Sequence, residues 1–342
     1  MHSPDDADVG SNRADGMKPL TAGQLSELAR AASVPVGYSA LGDQPFVVVH
    51  LSSLEAVNVD CDRLMQLPCP VLGIGESGHP LAAYCDVIVA TEHEAEKLAR
   101  RIAVNPQAAA VLVQVLRAIA SLPLESALQV ESLAYATLQG GAEHRRWLAS
   151  RPPPSVAPVE SGPAVLIECD GGVLRLTLNR PDNHNAMTVE MRDALIEALE
   201  LAVIDGDIER IELRGRGRCF STGGELSEFG TLPDVATAHL VRSLALPGRL
   251  LAALNERTTA YVHGACIGSG IEFPAFAGRV IAAPGTHFQL PELELGLIPG
   301  AGGCVSIARK IGRQRMAWLV LSGRRLRVRD ALKWGLVDEI AN

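Results

Sequence analysis

The sequence lacks the cysteine spacings that would indicate a metal site or a disulfide framework. Its seven cysteines are an odd number, are scattered through mostly apolar sequence, and include no pair at CxxC spacing. Neither a zinc site nor a set of disulfides is therefore predicted. We interpret the cysteines as small core-filling side chains of a protein in a reducing compartment.

Positive charge is also scarce. The chain has 31 Lys and Arg residues against 39 Asp and Glu residues, which gives a formal net charge of −8. This balance argues against broad nucleic-acid binding, because a phosphate backbone attracts proteins with a surplus of basic side chains. A polyanionic ligand would need a local basic patch.

Long hydrophobic runs are missing as well. The first 20 residues, MHSPDDADVGSNRADGMKPL, are acidic and polar and lack the basic start and apolar stretch of a signal peptide. The most apolar windows, such as AAAVLVQVLRAIA, contain Gln114 and Arg117 and fall short of a membrane span. These absences predict a cytoplasmic protein with no membrane partner.

What the sequence does contain is enough apolar material for a substantial core. Hydrophobic residues make up 47% of the chain, which suits one large domain or two smaller ones. Residues 151–163, RPPPSVAPVESGP, hold five prolines and predict a stiff linker. We therefore predict a disordered tail at 1–20, a first region at 21–150, this linker, and a second domain at 164–342.

Beyond the linker, strand and helix patterns alternate. AVLIECDGGVLRLTLN predicts a hairpin around Asp170, Gly171 and Gly172, and TVEMRDALIEALELAVID predicts an amphipathic helix with Thr188 as its N-cap. Such alternation is typical of α/β proteins with a mostly parallel sheet covered by helices. In these folds, ligands bind where glycine-rich turns leave strand ends and meet helix N-termini.

Two glycine-rich segments have this strand, turn and helix layout. They are RCFSTGGELSEF at 218–229 and HGACIGSGIEF at 263–273. A helix N-terminus presents unpaired N–H groups and favours negative charge. Two such donors aimed at one point form an oxyanion hole, in which each donor contributes roughly 3–4 kcal/mol to the transition state. Glu272, and Glu292 in HFQLPELELGLIPGAGG, place carboxylates near such turns.

Five segments in order resemble the crotonase (enoyl-CoA hydratase/isomerase) superfamily. They are NRPDNHNAM, CFSTGGELSEF, VHGACIGSGIE, FQLPELELGLIPGAGG and LSGRRLRVRDALKWGLVDEI, and together they cover nearly all of residues 163–342. The resemblance implies a crotonase-like ββα spiral core with a helical cover. It also implies an acyl-CoA or acyl-carrier thioester as ligand, with coenzyme A as part of the substrate and no other cofactor or metal.

The resemblance also assigns the reacting groups. The oxyanion hole of the family falls on the main-chain N–H groups of Gly224 and Ser269, and its two hydratase carboxylates fall on Glu272 and Glu292. We expect the hole to polarise a thioester carbonyl and hold the enolate. The carboxylates would activate water at Cβ and deliver a proton to Cα, because their proximity separates their proton affinities.

Contacts to coenzyme A are expected at five further positions. The resemblance places Thr222, Glu225 and Leu226 near the coenzyme, and it matches Trp147 and Arg151 with tail positions that meet the adenine and phosphates in the family. A purely structural role is the alternative for Glu225. An ordinary helical surface is the alternative for Trp147 and Arg151.

The site residues also allow structural interpretations. Ser269 to Glu272 fit the S-x-x-E capping box, in which Glu272 would bond back to the Ser269 N–H and occupy the donor that a thioester needs. Glu292 could be a surface carboxylate, and we expect Glu294 to be a solvated or helix-capping charge. Ser269 also departs from the family, which usually has glycine there.

A larger departure concerns the helices that cover the site. The family continues past WGLVDEI with such helices, whereas segments of that character, EKLARRIAVNPQAAAVLVQVLRAI and AEHRRWLASR, precede the linker here. We therefore interpret residues 21–150 as a degenerate crotonase-like N-terminal half. Its helices would cover the core in the same chain or in a neighbouring one.

The predicted function is hydration of a 2-enoyl-CoA by a lyase of the enoyl-CoA hydratase type, as in fatty acid metabolism. An enoyl-CoA isomerase or an acyl-CoA hydrolase of the same fold is one alternative. A non-catalytic CoA-binding or assembly subunit is another, from a different class of function. The family further implies a homo-oligomer, either a trimer or a hexamer.

Overall fold

The computed structural model describes residues 18–31, 33, 36–55, 61–152 and 161–341. Most of the predicted disordered tail, residues 1–17, lies outside the described residues. So do residues 153–160 of the predicted linker.

The α-helices of the described residues follow one another in chain order. They are α1 (Ala22–Arg30), α2 (Leu51–Glu55), α3 (Asp62–Met65), α4 (Glu92–Val104), α5 (Pro106–Ala118), α6 (Leu124–Gln139), α7 (Ala142–Ser150), α8 (Val189–Ile204), α9 (Val235–Leu244), α10 (Pro247–Ala253), α11 (Ser269–Glu272), α12 (Gly303–Ile311), α13 (Arg313–Ser322) and α14 (Val328–Trp334). Short 3₁₀ helices lie at Pro80–Tyr84, Ile119–Ser121, Leu226–Glu228, Asn255–Arg257, Pro274–Phe276 and Glu292–Leu295.

The strands are short and form three sheets. They are β1 (Val47–His50), β2 (Val71–Ile74), β3 (Val87–Val89), β4 (Val165–Asp170), β5 (Val173–Leu178), β6 (Arg210–Gly215), β7 (Thr258–Val262), β8 (Ala265–Ile267), β9 (Arg279–Ala282), β10 (His287–Gln289), β11 (Leu326–Arg327) and β12 (Glu339–Ile340).

These elements belong to two compact units. The first comprises the described residues up to Ser121 together with residues 313–323, and the second comprises residues 122–312 and 324–341. This grouping differs from the predicted division at the proline-rich segment, because α6 and α7 belong to the second unit. The reason is packing: α6 lies against α9 and α12, and α7 lies against the 3₁₀ helix Glu292–Leu295.

The first unit contains a parallel sheet in the order β1-β2-β3. Its strands are short runs of buried aliphatic residues, as expected for parallel strands that are covered on both faces. No single helix of the described residues is long and apolar enough to cross a membrane. The helices Glu92–Val104 and Pro106–Ser121 of this unit together have the length and composition of a membrane span, but the pair is bent by 110°.

The second unit contains a six-stranded sheet in the order β12-β9-β7-β6-β5-β4 and a three-stranded sheet in the order β11-β10-β8. All neighbours in the larger sheet are parallel except β4 and β5, which form the predicted hairpin. Gly171 and Gly172 turn that hairpin with φ of 54° and 75°, a region that favours glycine. The mostly parallel α/β architecture predicted from the sequence is confirmed.

Helix α8 begins where the sequence predicts. The Thr188 side chain accepts a hydrogen bond from the Met191 N–H at 3.1 Å, so it caps the helix as expected. The side chains of Leu195 and Leu199, one turn apart on this helix, are fully buried. Amphipathic spacing and the cap therefore fix α8 against the sheet.

A buried carboxylate holds the first unit together. Asp86 is 1% exposed, accepts the Val71 N–H at 2.8 Å, and pairs with Arg117 and Arg313. Arg117 also donates to the carbonyl oxygens of Met65, Leu67 and Cys69. The ion pairs thus connect α5 and α13 to the loop that enters β3.

We expect Asp86→Ala to lower the free energy of unfolding by about 3–5 kcal/mol, because two arginines would lose their buried counterion. Urea unfolding of the full chain, followed by tryptophan fluorescence, measures this; Trp318 lies within the first unit. Glu92→Gln is the control, since Glu92 pairs with His50 at an exposed site and should cost no more than about 1 kcal/mol. Equal effects of the two variants would contradict the role given to Asp86.

Candidate active site

The two glycine-rich loops lie side by side in parallel register. Ser221 forms a β-bridge with Cys266, donating its N–H to Ala265 O at 3.3 Å and accepting the Ile267 N–H at 3.1 Å. Counting three residues along each loop from this bridge brings Gly224 level with Ser269. The register places the two glycine-rich turns next to each other; convergence of the Gly224 and Ser269 amides on one oxygen stays a prediction.

Glycine is needed where these loops approach each other. A Cβ atom on Gly223 would lie 2.6 Å from Ile267 O, and φ of this residue is 91°. A Cβ atom on Gly268, where φ is 51°, would lie 3.9 Å from Gly223 Cα. A larger residue at Gly223 would push the loops apart, so close packing of the loops is one reason for the glycines.

The main-chain N–H groups of Gly224 and Ser269 are not used within the described part of the chain. Gly224 bridges to Met187, but the bonds of that bridge run from Met187 N to Gly223 O and from Glu225 N to Met187 O. In a parallel ladder this pattern turns the N–H of the middle residue, Gly224, away from its partner. No hydrogen bond of the described residues uses the Ser269 N–H. Neither amide therefore donates to another described residue.

Glu272 is buried at the end of the short helix α11, with 3% of its surface exposed. Its Oε2 atom accepts the N–H groups of Ala301 and Gly303 at 2.8 and 3.0 Å. The alternative of a capping box is therefore wrong: the carboxylate points to the loop before α12 rather than back to Ser269. The donor that a capping box would occupy stays available.

Glu292 is also buried, with 8% of its surface exposed, so the alternative of a surface carboxylate is wrong. Its Oε2 atom is fully buried and has no hydrogen-bond partner among the described residues. A Cβ atom on Gly268 would lie 2.9 Å from Glu292 Oε1 and 4.0 Å from Glu272 Oε1. Both carboxylates therefore reach the same turn beside the hole, whereas Glu294 is exposed, as expected.

A third buried carboxylate was not predicted from the sequence. Glu131 on α6 is 2% exposed, and its two oxygens accept the N–H groups of Gly302 and Cys304 at 2.7 and 2.8 Å. Glu272 takes the amides of Ala301 and Gly303, so the two carboxylates alternate along one stretch of main chain. The signal in the sequence is a carboxylate on the apolar face of α6, four residues from Ala127 and Tyr135.

Burial dominates the electrostatics of these three acids. It raises the pKa of Glu272 to about 7, although the N–H groups of Ala301 and Gly303 oppose the rise. Burial and the charge on Glu272 raise the pKa of Glu131 to about 8 and also raise the pKa of Glu292. Because like charges this close disfavour joint ionisation, the cluster holds protons at neutral pH.

The residues predicted to meet coenzyme A form a second cluster. The Arg151 guanidinium lies 4.9 Å from the centre of the Trp147 ring and donates to the carbonyl oxygens of Leu226 and Phe229. Trp147 packs edge-on against Phe229 at 5.8 Å. These contacts hold the loop after the first glycine turn, which supports a structural role; contact with coenzyme A stays a prediction.

Glu225 and Thr222 flank Gly224 in the first loop. The Glu225 carboxylate accepts from Asn183 Nδ2 and from the Ser227 N–H, both at 2.9 Å, and so caps the 3₁₀ helix Leu226–Glu228. The Thr222 N–H donates to His184 O at 3.2 Å. Both residues fix the loop, and a contact with the ribose stays a prediction.

A cavity of about 730 Å³ opens next to Glu225 and Phe229, which follow Gly224 in the first loop. Met187 and Phe229 line it, and the Phe229 ring lies 3.0 Å from the position that a Cβ atom on Gly224 would take. Glu272 and Glu292 do not line the cavity. The ring of Tyr135 lines the cavity and also packs against Gly300, which precedes the amides that bind Glu272.

The two glycine-rich loops thus lie side by side near two buried carboxylates, and comparison with known proteins identifies the family of the chain. The model of the enoyl-CoA hydratase/isomerase family matches residues 168–342, and the chain belongs to this family. The predicted resemblance to the crotonase superfamily is confirmed, together with a crotonase-like α/β fold.

Three curated relatives illustrate the range of names within the family. The chain is 35% identical to 2,3-dehydroadipyl-CoA hydratase of Escherichia coli (strain K12) over 168 residues. This match covers 49% of this chain and 65% of the relative. It is 33% identical over 190 residues to 1,2-epoxyphenylacetyl-CoA isomerase of the same organism, covering 52% and 70%. It is 30% identical over 180 residues to trans-2-decenoyl-[acyl-carrier-protein] isomerase of Streptococcus mutans, covering 52% and 68%.

The chain thus spans about two thirds of the length of the curated relatives it matches. Among solved structures, an enoyl-CoA hydratase from Thermoplasma volcanium is 29% identical, with 53% of this chain and 72% of that chain covered and a TM-score of 0.47.

We expect the free energy of unfolding to fall as pH rises from about 4.5 toward 8. The usual pKa of Glu131 is 4.5 and its folded pKa is about 8. Between these values the folded state keeps a proton that the unfolded state has released, so the free energy of unfolding falls as pH rises until the folded state releases its proton as well. One such group contributes a slope of up to about 1.4 kcal/mol per pH unit.

Glu131→Gln should make this slope shallower, because the variant lacks one of the three titrating carboxylates. Denaturant unfolding at a series of pH values measures the effect. Glu294→Gln, which changes an exposed carboxylate, should leave the slope unchanged. A slope that is the same in wild type and in Glu131→Gln would contradict the raised pKa of Glu131.

Proposed function

We propose that this chain is an acyl-CoA-processing enzyme that adds water to a 2-enoyl thioester. The proposal is supported by two main-chain N–H groups, of Gly224 and Ser269, that donate no hydrogen bond within the described residues, and by two buried carboxylates, Glu272 and Glu292, that reach the turn at Gly268. Amides of this kind stabilise negative charge on a thioester oxygen in a site that excludes water. The hydratase name of one relative is consistent with this activity.

The hydrogen bonds suggest how the two carboxylates divide the work. Glu272 accepts two N–H groups, which favour its ionised form, so it is the base that removes a proton from water as the oxygen bonds to Cβ. The electron pair of the double bond moves to the thioester oxygen, held by Gly224 and Ser269. Glu292, whose raised pKa keeps a proton, delivers that proton to Cα. The sum is addition of one water molecule.

Movement of a double bond is a second candidate, favoured by the asymmetry between the two acids. Glu292 has an unpartnered oxygen, whereas one oxygen of Glu272 is committed to the loop before α12. A single mobile carboxylate can shift a proton along an acyl chain. One relative is named as an isomerase of an unsaturated acyl chain, trans-2-decenoyl on acyl carrier protein.

The remaining expectations from the sequence are proposals as well. Residues 21–150 are a degenerate crotonase-like half, supported in the first unit by the parallel strands β2 and β3, which flank a 3₁₀ turn as β7 and β9 flank α11. The protein is a cytoplasmic homo-oligomer, a trimer or hexamer, and uses no cofactor beyond the coenzyme A of its substrate. Hydrolysis of an acyl-CoA is the least supported of the three reactions.

Glu272→Gln and Glu292→Gln should each lower kcat for hydration of crotonyl-CoA by about 10²- to 10⁴-fold, the usual contribution of a positioned acid or base. Loss of the ultraviolet absorbance of the conjugated thioester follows the reaction. Glu294→Gln, two residues from Glu292 and exposed, is the matched control and should change kcat little.

The same variants separate the candidates. With a 3-enoyl-CoA as substrate, an isomerase would lose its activity in Glu292→Gln but keep much of it in Glu272→Gln. A wild-type protein that binds acyl-CoA without converting either substrate would instead be a non-catalytic CoA-binding subunit.

Ser269→Pro tests the oxyanion hole directly. Proline removes the N–H yet suits the first position of a helix, which Ser269 occupies in α11. We expect kcat to fall by about 10²- to 10³-fold. Ser269→Ala keeps the N–H, so its loss should be at least about tenfold smaller. Equal losses in the two variants would assign the effect to the hydroxyl or to packing, not to the amide.

A further inference from the structure

The cavity next to Phe229 is lined by a cation, Arg242, that has no acidic partner among the described residues. Arg242 on α9 lines the cavity, and its guanidinium lies 4.3 Å from the centre of the Tyr135 ring. Its Nε atom donates to Ser132 Oγ at 3.3 Å and its Nη2 atom to Gln139 Oε1 at 3.0 Å. These three partners come from α6 and are neutral.

No carboxylate lies within ion-pair distance of Arg242 among the described residues, and its Nη1 atom has no hydrogen-bond acceptor there. Burial lowers the pKa of this guanidinium, but arginine keeps its charge in proteins. Glu131, a nearby buried acid, is committed to the amides before α12. A half-buried cation without a counterion is costly, so the open side of Arg242 suits an anion.

The other charged side chains of the cavity are already satisfied. Arg192 pairs with Asp193 at 2.6 Å. Glu228 accepts the Val189 N–H at 3.1 Å, and Asp234 caps α9 through the Thr237 N–H. Arg242 therefore differs from the other charges that line the same space.

Tyr135 connects this cation to the proposed reaction centre. The Tyr135 ring packs against Gly300, which precedes the amides that bind Glu272. The ring also contacts the Arg242 guanidinium. The same cavity is lined by Phe229, whose ring packs against Gly224, and by Arg242, so an acyl chain that enters it from Gly224 would approach the guanidinium. A carboxylate matches the planar fork of a guanidinium, with which it forms charge-assisted hydrogen bonds.

We propose that the acyl group bound here ends in a carboxylate, so that the substrate is a CoA thioester of a dicarboxylic acid and Arg242 binds its free end. The proposal rests on the proposed function for the acyl-CoA ligand. It goes further because it names the group at the far end of the chain and the residue that selects it.

Binding of saturated acyl-CoAs tests the proposal without requiring catalysis. Isothermal titration compares succinyl-, glutaryl-, adipoyl- and suberoyl-CoA with the methyl-ended acyl-CoAs of equal carbon number. At the best chain length, we expect the carboxylate-ended ligand to bind about 10- to 100-fold more tightly, the usual effect of a hydrogen-bonded charge. Arg242→Gln should abolish this preference and leave binding of the methyl-ended ligand within about threefold.

Arg192→Gln is the matched control, because Arg192 lines the same cavity but already has an acidic partner. It should keep the preference. The proposal is overturned if no carboxylate-ended ligand is preferred at any chain length, or if Arg242→Gln weakens both ligand series equally, since Arg242 would then contact the coenzyme. Turnover of the matching 2-enoyl-CoAs tests the proposed function separately: a binding preference without turnover would refute the hydratase and keep the role of Arg242.

Discussion

The site depends on four consecutive main-chain N–H groups, of Ala301 to Cys304, at the start of α12. Two buried carboxylates share them in alternation, Glu272 from α11 and Glu131 from α6. Without these donors, either acid would be buried at a cost of several kcal/mol or more. The glycine-rich turn is therefore the element that allows the two acids to be buried.

This arrangement explains why the covering helix matters to the chemistry. Helix α6 lies far from α12 in the sequence but supplies a charge within the same hydrogen-bonded group. The charge on Glu131 contributes to the raised pKa of Glu292. Helix α6 therefore affects the proton affinity of Glu292 as well as covering the site. The same helix supplies Tyr135, Ser132 and Gln139 around Arg242. The acid cluster and the surroundings of Arg242 thus depend on one element.

Much of the site could be predicted because its residues lie in short, contiguous motifs. In the two glycine loops, the residue that exposes its N–H follows a glycine with positive φ, Gly223 or Gly268, so local backbone preference marks the position. Glu272 lies on the helix that follows its loop, and Glu292 precedes its own glycine-rich turn. Glu131 and Arg242 could not be predicted in this way, because their partners lie on other elements and only packing brings them together.

The sequence by itself determined the α/β class and the two loops, since periodicity, glycine turns and helix caps act over a few residues, and its resemblance to the crotonase superfamily determined the family. Only the tertiary structure decided whether Glu272 caps its own helix or turns to the loop before α12, since that choice depends on which donors lie within 3 Å. It also decided that α6 and α7 pack with the second unit, across the proline-rich segment that suggested a boundary. In both cases long-range contacts compete with local conformational preferences. The conformation that buries more apolar area and satisfies more hydrogen bonds is the one that forms.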